Sequence, residues 1–90
     1  MSYQLMIEER AVKELKSLPN DRQARIKNKV KEILKSDPFP GGKGDIKKIK
    51  ESDFWRLRVA DYRVFYDIDR EEKILYILSI KHRSDAYKEI

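Results

Sequence analysis

The hydrophobic period changes from helical to alternating in the middle of this chain, and that change limits what it can fold into. From Glu8 to Asp37 the apolar side chains recur at helical spacing; from residue 54 they alternate or run continuously. Ala11, Leu15 and Leu18 fall at i, i+4, i+7 with Val12 beside them, which predicts a helix beginning near Glu8. Ile26, Val30, Ile33 and Leu34 repeat the stripe and predict a second helix, whose other face holds Arg22, Arg25, Lys27, Lys29, Lys31 and Lys35. Pro19-Asn20-Asp21 separates the two, with Asn20 or Asp21 expected to cap the second helix by accepting a backbone N–H. So short a link makes an antiparallel helix hairpin. Ser36-Asp37-Pro38 closes it, because a residue before proline is pushed out of the helical region.

Strands flank this hairpin. Tyr3 to Ile7 reads as a short strand with Tyr3, Leu5 and Ile7 on one face. Phe39 to Gly44 is expected to be an open loop, and Asp45 to Lys50 a lysine-rich edge strand of the kind that resists pairing with other chains. After a turn at Ser52-Asp53 come three stronger strands: Phe54 to Val59, Tyr62 to Ile68, and Ile74 to Ile80. The last is apolar on both faces, so it belongs inside the sheet with the helices over one side. The order βααβββ predicts one α+β domain over residues 1–90, a two-layer sandwich with three to four mostly antiparallel strands after the helices.

Composition removes several classes of function. The chain has no cysteine and one histidine, so neither a disulfide framework nor a Cys/His metal site is proposed, and no cofactor is implied. The opening MSYQLMIEER lacks the apolar run of a signal peptide, and no stretch approaches the roughly 18 apolar residues of a membrane span. A cytoplasmic protein without membrane contact is the expectation. Lys and Arg number 21 against 16 Asp and Glu, a net charge of +5, which favours an anionic partner such as nucleic acid.

The segment FWRLRVADYRVFY says where that partner binds. If Ala60-Asp61 is a two-residue hairpin turn, with Asp61 tolerating the left-handed conformation, Val59 pairs with Tyr62, Arg58 with Arg63 and Arg56 with Phe65. Cross-strand partners share a face, so Trp55, Leu57, Val59, Tyr62, Val64 and Tyr66 face the core, while Arg56, Arg58, Arg63 and Phe65 face out. Opposed like charges destabilise a strand pair, so an anion that offsets them is a reasonable inference. Guanidinium forks match phosphate oxygens, and Phe65 offers a surface for a base to stack on. Ordinary salt bridges to Asp67, Asp69 or Asp85 are the plainer alternative. Lys81, His82 and Arg83 leave the last strand in a row, and a central position for that strand brings some of them near the same face.

WRLRVADYRVFYDID followed by ILYILSIKHRSDAY, preceded by a short strand and ERAVKELKSLP, resembles the RelE/ParE toxin superfamily, and its RelE-type messenger-RNA-cutting members in particular. The resemblance spans nearly the whole chain. It implies a compact microbial-RNase-like fold, a toxin that cleaves mRNA on the ribosome without a metal, and an acidic RelB-like antitoxin forming a hetero-oligomer with it. The family's strand pair of basic residues falls on Arg56 and Arg58, its arginine after the hairpin on Arg63, its late arginine on Arg83 and its C-terminal tyrosine on Tyr87. Arg58, Arg63, Arg83 and Tyr87 are thereby implied as catalytic, and Arg56, Phe65, Lys81 and His82 as substrate-binding. Relatives of the best-known type carry lysines where Arg56 and Arg58 stand. Arginine stays protonated and is a poor base, so the base would be Tyr87 or His82, unless positioning on the ribosome supplies most of the rate. ParE-like members of the superfamily inhibit DNA gyrase and cut no RNA, which leaves that function, or a nucleic-acid-binding module of weak activity, as alternatives.

Overall fold

A computed structural model describes residues 3–34, 36–42 and 44–84. The elements run β1 (Gln4–Ile7), α1 (Glu9–Lys16), α2 (Asn20–Lys29) with a π-helical turn at Val30–Leu34, then β2 (Asp45–Lys48), β3 (Trp55–Val59), β4 (Tyr62–Asp69) and β5 (Ile74–His82). The five strands form one sheet in the order β1-β5-β4-β3-β2. β1 runs parallel to β5 and every other pair is antiparallel. The α+β sandwich is as expected, with four strands after the helices. β5 lies inside the sheet and the lysine-bearing β2 at its edge.

Both helices lie on one face, where Ala11, Leu15, Ile26, Val30, Ile33 and Leu34 pack on Leu57, Val64, Tyr66, Leu75, Ile77 and Ile80. The π turn puts three of its five residues, Val30, Ile33 and Leu34, into that core. Tyr66 is fully buried, and its hydroxyl donates to the Pro38 carbonyl at 2.7 Å. Burial pushes this phenol well above its ordinary pKa, and the Asp37 carboxylate adds to the effect, so the hydrogen bond is permanent across the working pH range. The segment after α2 is less open than its composition suggests. Phe39 tucks edge-on between Tyr3 and Trp55, and a Cβ on Gly44 would sit 2.5 Å from the Ile33 side chain, so the chain approaches the core here more closely than a larger residue allows.

Two local expectations are corrected. Neither Asn20 nor Asp21 caps α2: Pro19 is the N-cap, with φ already near the helical value, and its carbonyl accepts the Arg22 and Gln23 N–H groups. The link instead relies on Gln23, whose side-chain amide donates to the Leu18 carbonyl at 2.7 Å and so serves the end of α1. Tyr3, just before β1, is buried and Leu5 packs partly, while Ile7 is exposed, where the chain turns away into α1 at Glu8. In the β3–β4 turn it is Ala60, with φ of 53°, that takes the left-handed conformation rather than Asp61.

Candidate nucleic-acid interface

The face of the sheet away from the helices is built by register. β3 and β4 pair Val59 with Tyr62, Arg58 with Arg63, Leu57 with Val64, Arg56 with Phe65 and Trp55 with Tyr66, the pairing the hairpin turn implies. The neighbouring strands extend it. Lys47 pairs with Arg56 and Phe65 with Ser79, giving a row Lys47, Arg56, Phe65, Ser79 across four strands. One step along, Asp45 pairs with Arg58 and Arg63 with Lys81, giving a second row Asp45, Arg58, Arg63, Lys81. Directly opposed side chains lie roughly 5 Å apart at Cβ, so five cations occupy a patch a few residues wide.

Two carboxylates moderate this field, and neither is among the partners expected. Asp45 accepts a hydrogen bond from Arg56 Nη2 at 3.2 Å and lies 4.0 Å from Arg58 Nη1. Glu14 reaches round the edge of the sheet from α1. β1 pairs with β5 only as far as Ile77, and Glu14 Oε1 takes the place of a strand partner, accepting the Ile80 N–H and the Ser79 hydroxyl, each at 2.9 Å. Its Oε2 pairs with Lys81 and, more loosely, with Arg10. Burial pulls the Glu14 carboxyl upward, but hydrogen bonds from Lys81, Ile80 and Ser79 outweigh it and hold the group below the usual carboxylate range. Asp67 and Asp69 make no salt bridge to these arginines among the described residues; Asp67 accepts the Ile68 N–H and Asp69 the Glu72 N–H. Asp85 lies outside the described residues.

The arginines differ in setting. Arg63 is only 7% exposed, donates to the Tyr62 carbonyl at 3.3 Å, and has no acidic partner among the described residues. Among the described residues no carboxylate offsets this buried guanidinium, and a buried cation is stabilised by a paired anion. Arg56 is half-buried, and its Nε is a buried donor left unpaired. Arg58 is exposed. Arg83 is exposed too, and its backbone N–H donates to the Asp61 carbonyl at 2.7 Å, which fixes the end of β5 beside the β3–β4 turn, at the same end of the sheet as Arg58 and Arg63.

The other site residues are placed unevenly. Lys81 is on the arginine face, opposite Arg63. His82 follows it, so it points to the other face, opposite Tyr62, whose ring it meets edge-on at 5.4 Å; its Nδ1 accepts the Ser84 N–H. Phe65 is on the arginine face but is not an open platform. It is 5% exposed, because Arg56, Ser79 and the connection between β2 and β3 close around it. Tyr87 lies outside the described residues. Lys47, Asp45, Ser79 and Glu14 were not singled out from the sequence. The first two follow once Asp45 to Lys48 is read as a strand alternating against Arg56 and Arg58, whereas Glu14 looks like any polar residue on a helix.

No helix among the described residues is long and apolar enough to cross a membrane, and none of their acidic, histidine or cysteine side chains cluster as a metal site would. Residues 5–87 match the family described as ParE toxin of type II toxin-antitoxin system, parDE. A Methanocaldococcus jannaschii protein designated RelE1 is 37% identical over 98% of both chains. The Escherichia coli mRNA interferase toxin RelE is 32% identical over 99% of this chain and 94% of its own. Among solved structures, the archaeal RelE–RelB complex from Pyrococcus horikoshii superposes with a TM-score of 0.78 at 35% identity, covering 92% of this chain and 97% of that one. The isolated E. coli RelE toxin gives 0.74 at 26% identity, covering 98% and 94%. The match over residues 5–87, the RelE-type relatives aligned along almost the full chain and the shared sheet together show that this protein belongs to the RelE/ParE toxin superfamily.

Proposed function

We propose that this chain is the toxin of a type II toxin–antitoxin pair and a ribosome-dependent endoribonuclease that cuts mRNA without a metal. The observation that carries the reading is the double row of cations, with buried Arg63 lacking an acidic partner among the described residues and Arg83 anchored at the same end of the sheet. It is supported by a relative bearing the name mRNA interferase. In the reaction a ribose 2′-oxygen attacks the adjacent phosphorus, the bond from phosphorus to the next 5′-oxygen breaks, and the products are a 2′,3′-cyclic phosphate and a 5′-hydroxyl. A base takes the 2′-OH proton and an acid supplies the proton to the leaving oxygen. Arg58, Arg63 and Arg83 stabilise the charge that builds on the phosphorane oxygens, with Arg56 and Lys81 holding the flanking phosphates. Tyr87, outside the described residues, is the proton carrier in this reading, since His82 points to the other face of the sheet.

The partner is an acidic, RelB-like antitoxin, as in the solved RelE–RelB complexes. The helix hairpin and the free sheet edges are its docking surfaces, and the net charge of +5 makes binding weaken as salt rises. Because the matching family description is that of ParE toxins, a second reading is inhibition of DNA gyrase without RNA cleavage. Expression of the toxin followed by primer extension on cellular messages separates the two. Breaks within codons support the nuclease; DNA damage without such breaks supports the gyrase reading.

A further inference from the structure

Beside the arginine face lies a groove of about 410 Å³, within the roughly 300–1,000 Å³ range of small-ligand clefts. Phe65, itself only 5% exposed, and Leu78 contribute to its lining. Phe54 lines it too, a large apolar side chain left 41% exposed. The connection carrying Phe54 is pinned from within: Ser52 Oγ donates to the Ile49 carbonyl at 3.0 Å and accepts the Phe54 N–H at 3.2 Å, while the Ile49 N–H donates to the Phe54 carbonyl at 2.9 Å. The backbone that carries Phe54 is therefore held in place. Arg10 and Lys50 add positive charge to the lining, and Glu51 adds a carboxylate that makes no ion pair among the described residues. Phe65 is shared with the row Lys47, Arg56, Phe65, Ser79, so the groove opens directly from the cation array.

We infer that this groove takes one nucleobase of the RNA strand whose phosphates lie on the arginine face. The apolar walls and the exposed Phe54 suit a flat heterocycle, the cations suit the phosphate beside it, and the Glu51 carboxylate accepts hydrogen from an exocyclic amino group, which makes uracil the poorest fit. The inference rests on the RNA-binding part of the proposed function and adds a site of base selection distinct from the residues that act on the phosphate.

The test uses fluorescence anisotropy with labelled 2′-O-methyl RNA decamers, which cannot be cut by 2′-OH attack: oligoadenylate, oligouridylate and a sugar-phosphate decamer without bases. The intact protein should bind oligoadenylate about tenfold or more tighter than the abasic strand, the span expected from one stacked base. Phe54→Ala should erase most of that margin and leave abasic binding unchanged, and Phe54→Tyr should restore it. Glu51→Gln should narrow the margin of oligoadenylate over oligouridylate. Thermal melting of each variant verifies that it folds. Equal affinity of the intact protein for all three strands, or a Phe54→Ala variant that weakens every strand alike or none, overturns the inference. Base-dependent binding without cleavage on ribosomes would leave this site standing and refute the nuclease reading; cleavage without base-dependent binding would do the reverse.

Discussion

Glu14 is the residue whose removal should cost most for its apparent ordinariness. Its carboxylate accepts the Ser79 hydroxyl and the Ile80 N–H and pairs with Lys81, tying α1 to the part of β5 that β1 does not reach. Glu14→Ala leaves the Ile80 N–H without its partner and Lys81 without this counter-charge. An orphaned donor costs about 1–3 kcal/mol and a charged hydrogen bond contributes about 1.5–3 kcal/mol. The side chains of Glu14 and Lys81 are still 17% and 19% exposed, so water recovers part of both and the expected loss is about 2–4 kcal/mol. For a domain this small that lowers Tm by roughly 10–25 °C. Glu14→Gln keeps a carbonyl for Ser79 and Ile80 but not the charge, and should lose about 1–2 kcal/mol. The pH dependence carries a definite sign. The folded carboxyl titrates below its unfolded counterpart, so its stabilisation is complete above the ordinary carboxylate pKa of about 4.3 and disappears as pH falls through the lower folded value. Urea unfolding at pH 7 and pH 3 reads this directly: the gap between the natural protein and Glu14→Gln should be narrower at pH 3 than at pH 7. A gap of the same size at both, or a Glu14→Ala variant as stable as the natural protein, would refute the reasoning.

Other outcomes follow from single positions. Ala60→Gly relieves a left-handed alanine that costs about 1–2 kcal/mol against a glycine entropy of about 0.5–1 kcal/mol, so urea unfolding should show unchanged or slightly higher stability. Tyr66→Phe strands the Pro38 carbonyl and should lower stability by about 1–3 kcal/mol in the same assay. Leu57→Ala, at a fully buried position, should cost about 2–5 kcal/mol, whereas Arg58→Ala should be neutral or slightly stabilising, since it faces Arg63 and reaches Asp45 only at 4.0 Å. If Arg58→Ala unfolds the protein in calorimetry, the arginine face is structural.

The sequence made the sheet legible where alternation and turn chemistry agree. The register from Trp55 to Tyr66 followed from one assumption, a two-residue turn at Ala60-Asp61, and with it came the arginine face. What it concealed depends on contacts between distant segments. Glu14 and Ser79 are 65 positions apart, and no local pattern marks Glu14 as the substitute for a missing strand. Phe65 reads as an outward residue by parity, yet parity says nothing of the β2–β3 connection that folds over it. His82 follows Lys81 in sequence, but adjacent strand residues face opposite ways, so the pair divides between the two faces. The left-handed residue of the β3–β4 turn was also hidden, since tertiary pairing overrides the preference of Asp over Ala for that conformation.

The measurement that bears most directly on the account is single-turnover cleavage of a message positioned on ribosomes, with the natural protein and Arg83→Ala at saturating concentration. The Arg83 side chain is exposed and its anchoring contact is made by the backbone, so the fold should survive the change. If this guanidinium stabilises phosphorane charge, the rate should fall on the order of 10²–10³-fold. Ribosome binding should fall far less, because many Lys and Arg residues share the phosphate contacts. Undiminished cleavage by Arg83→Ala would place the reacting phosphate elsewhere, and no cleavage by the natural protein would contradict the nuclease reading itself.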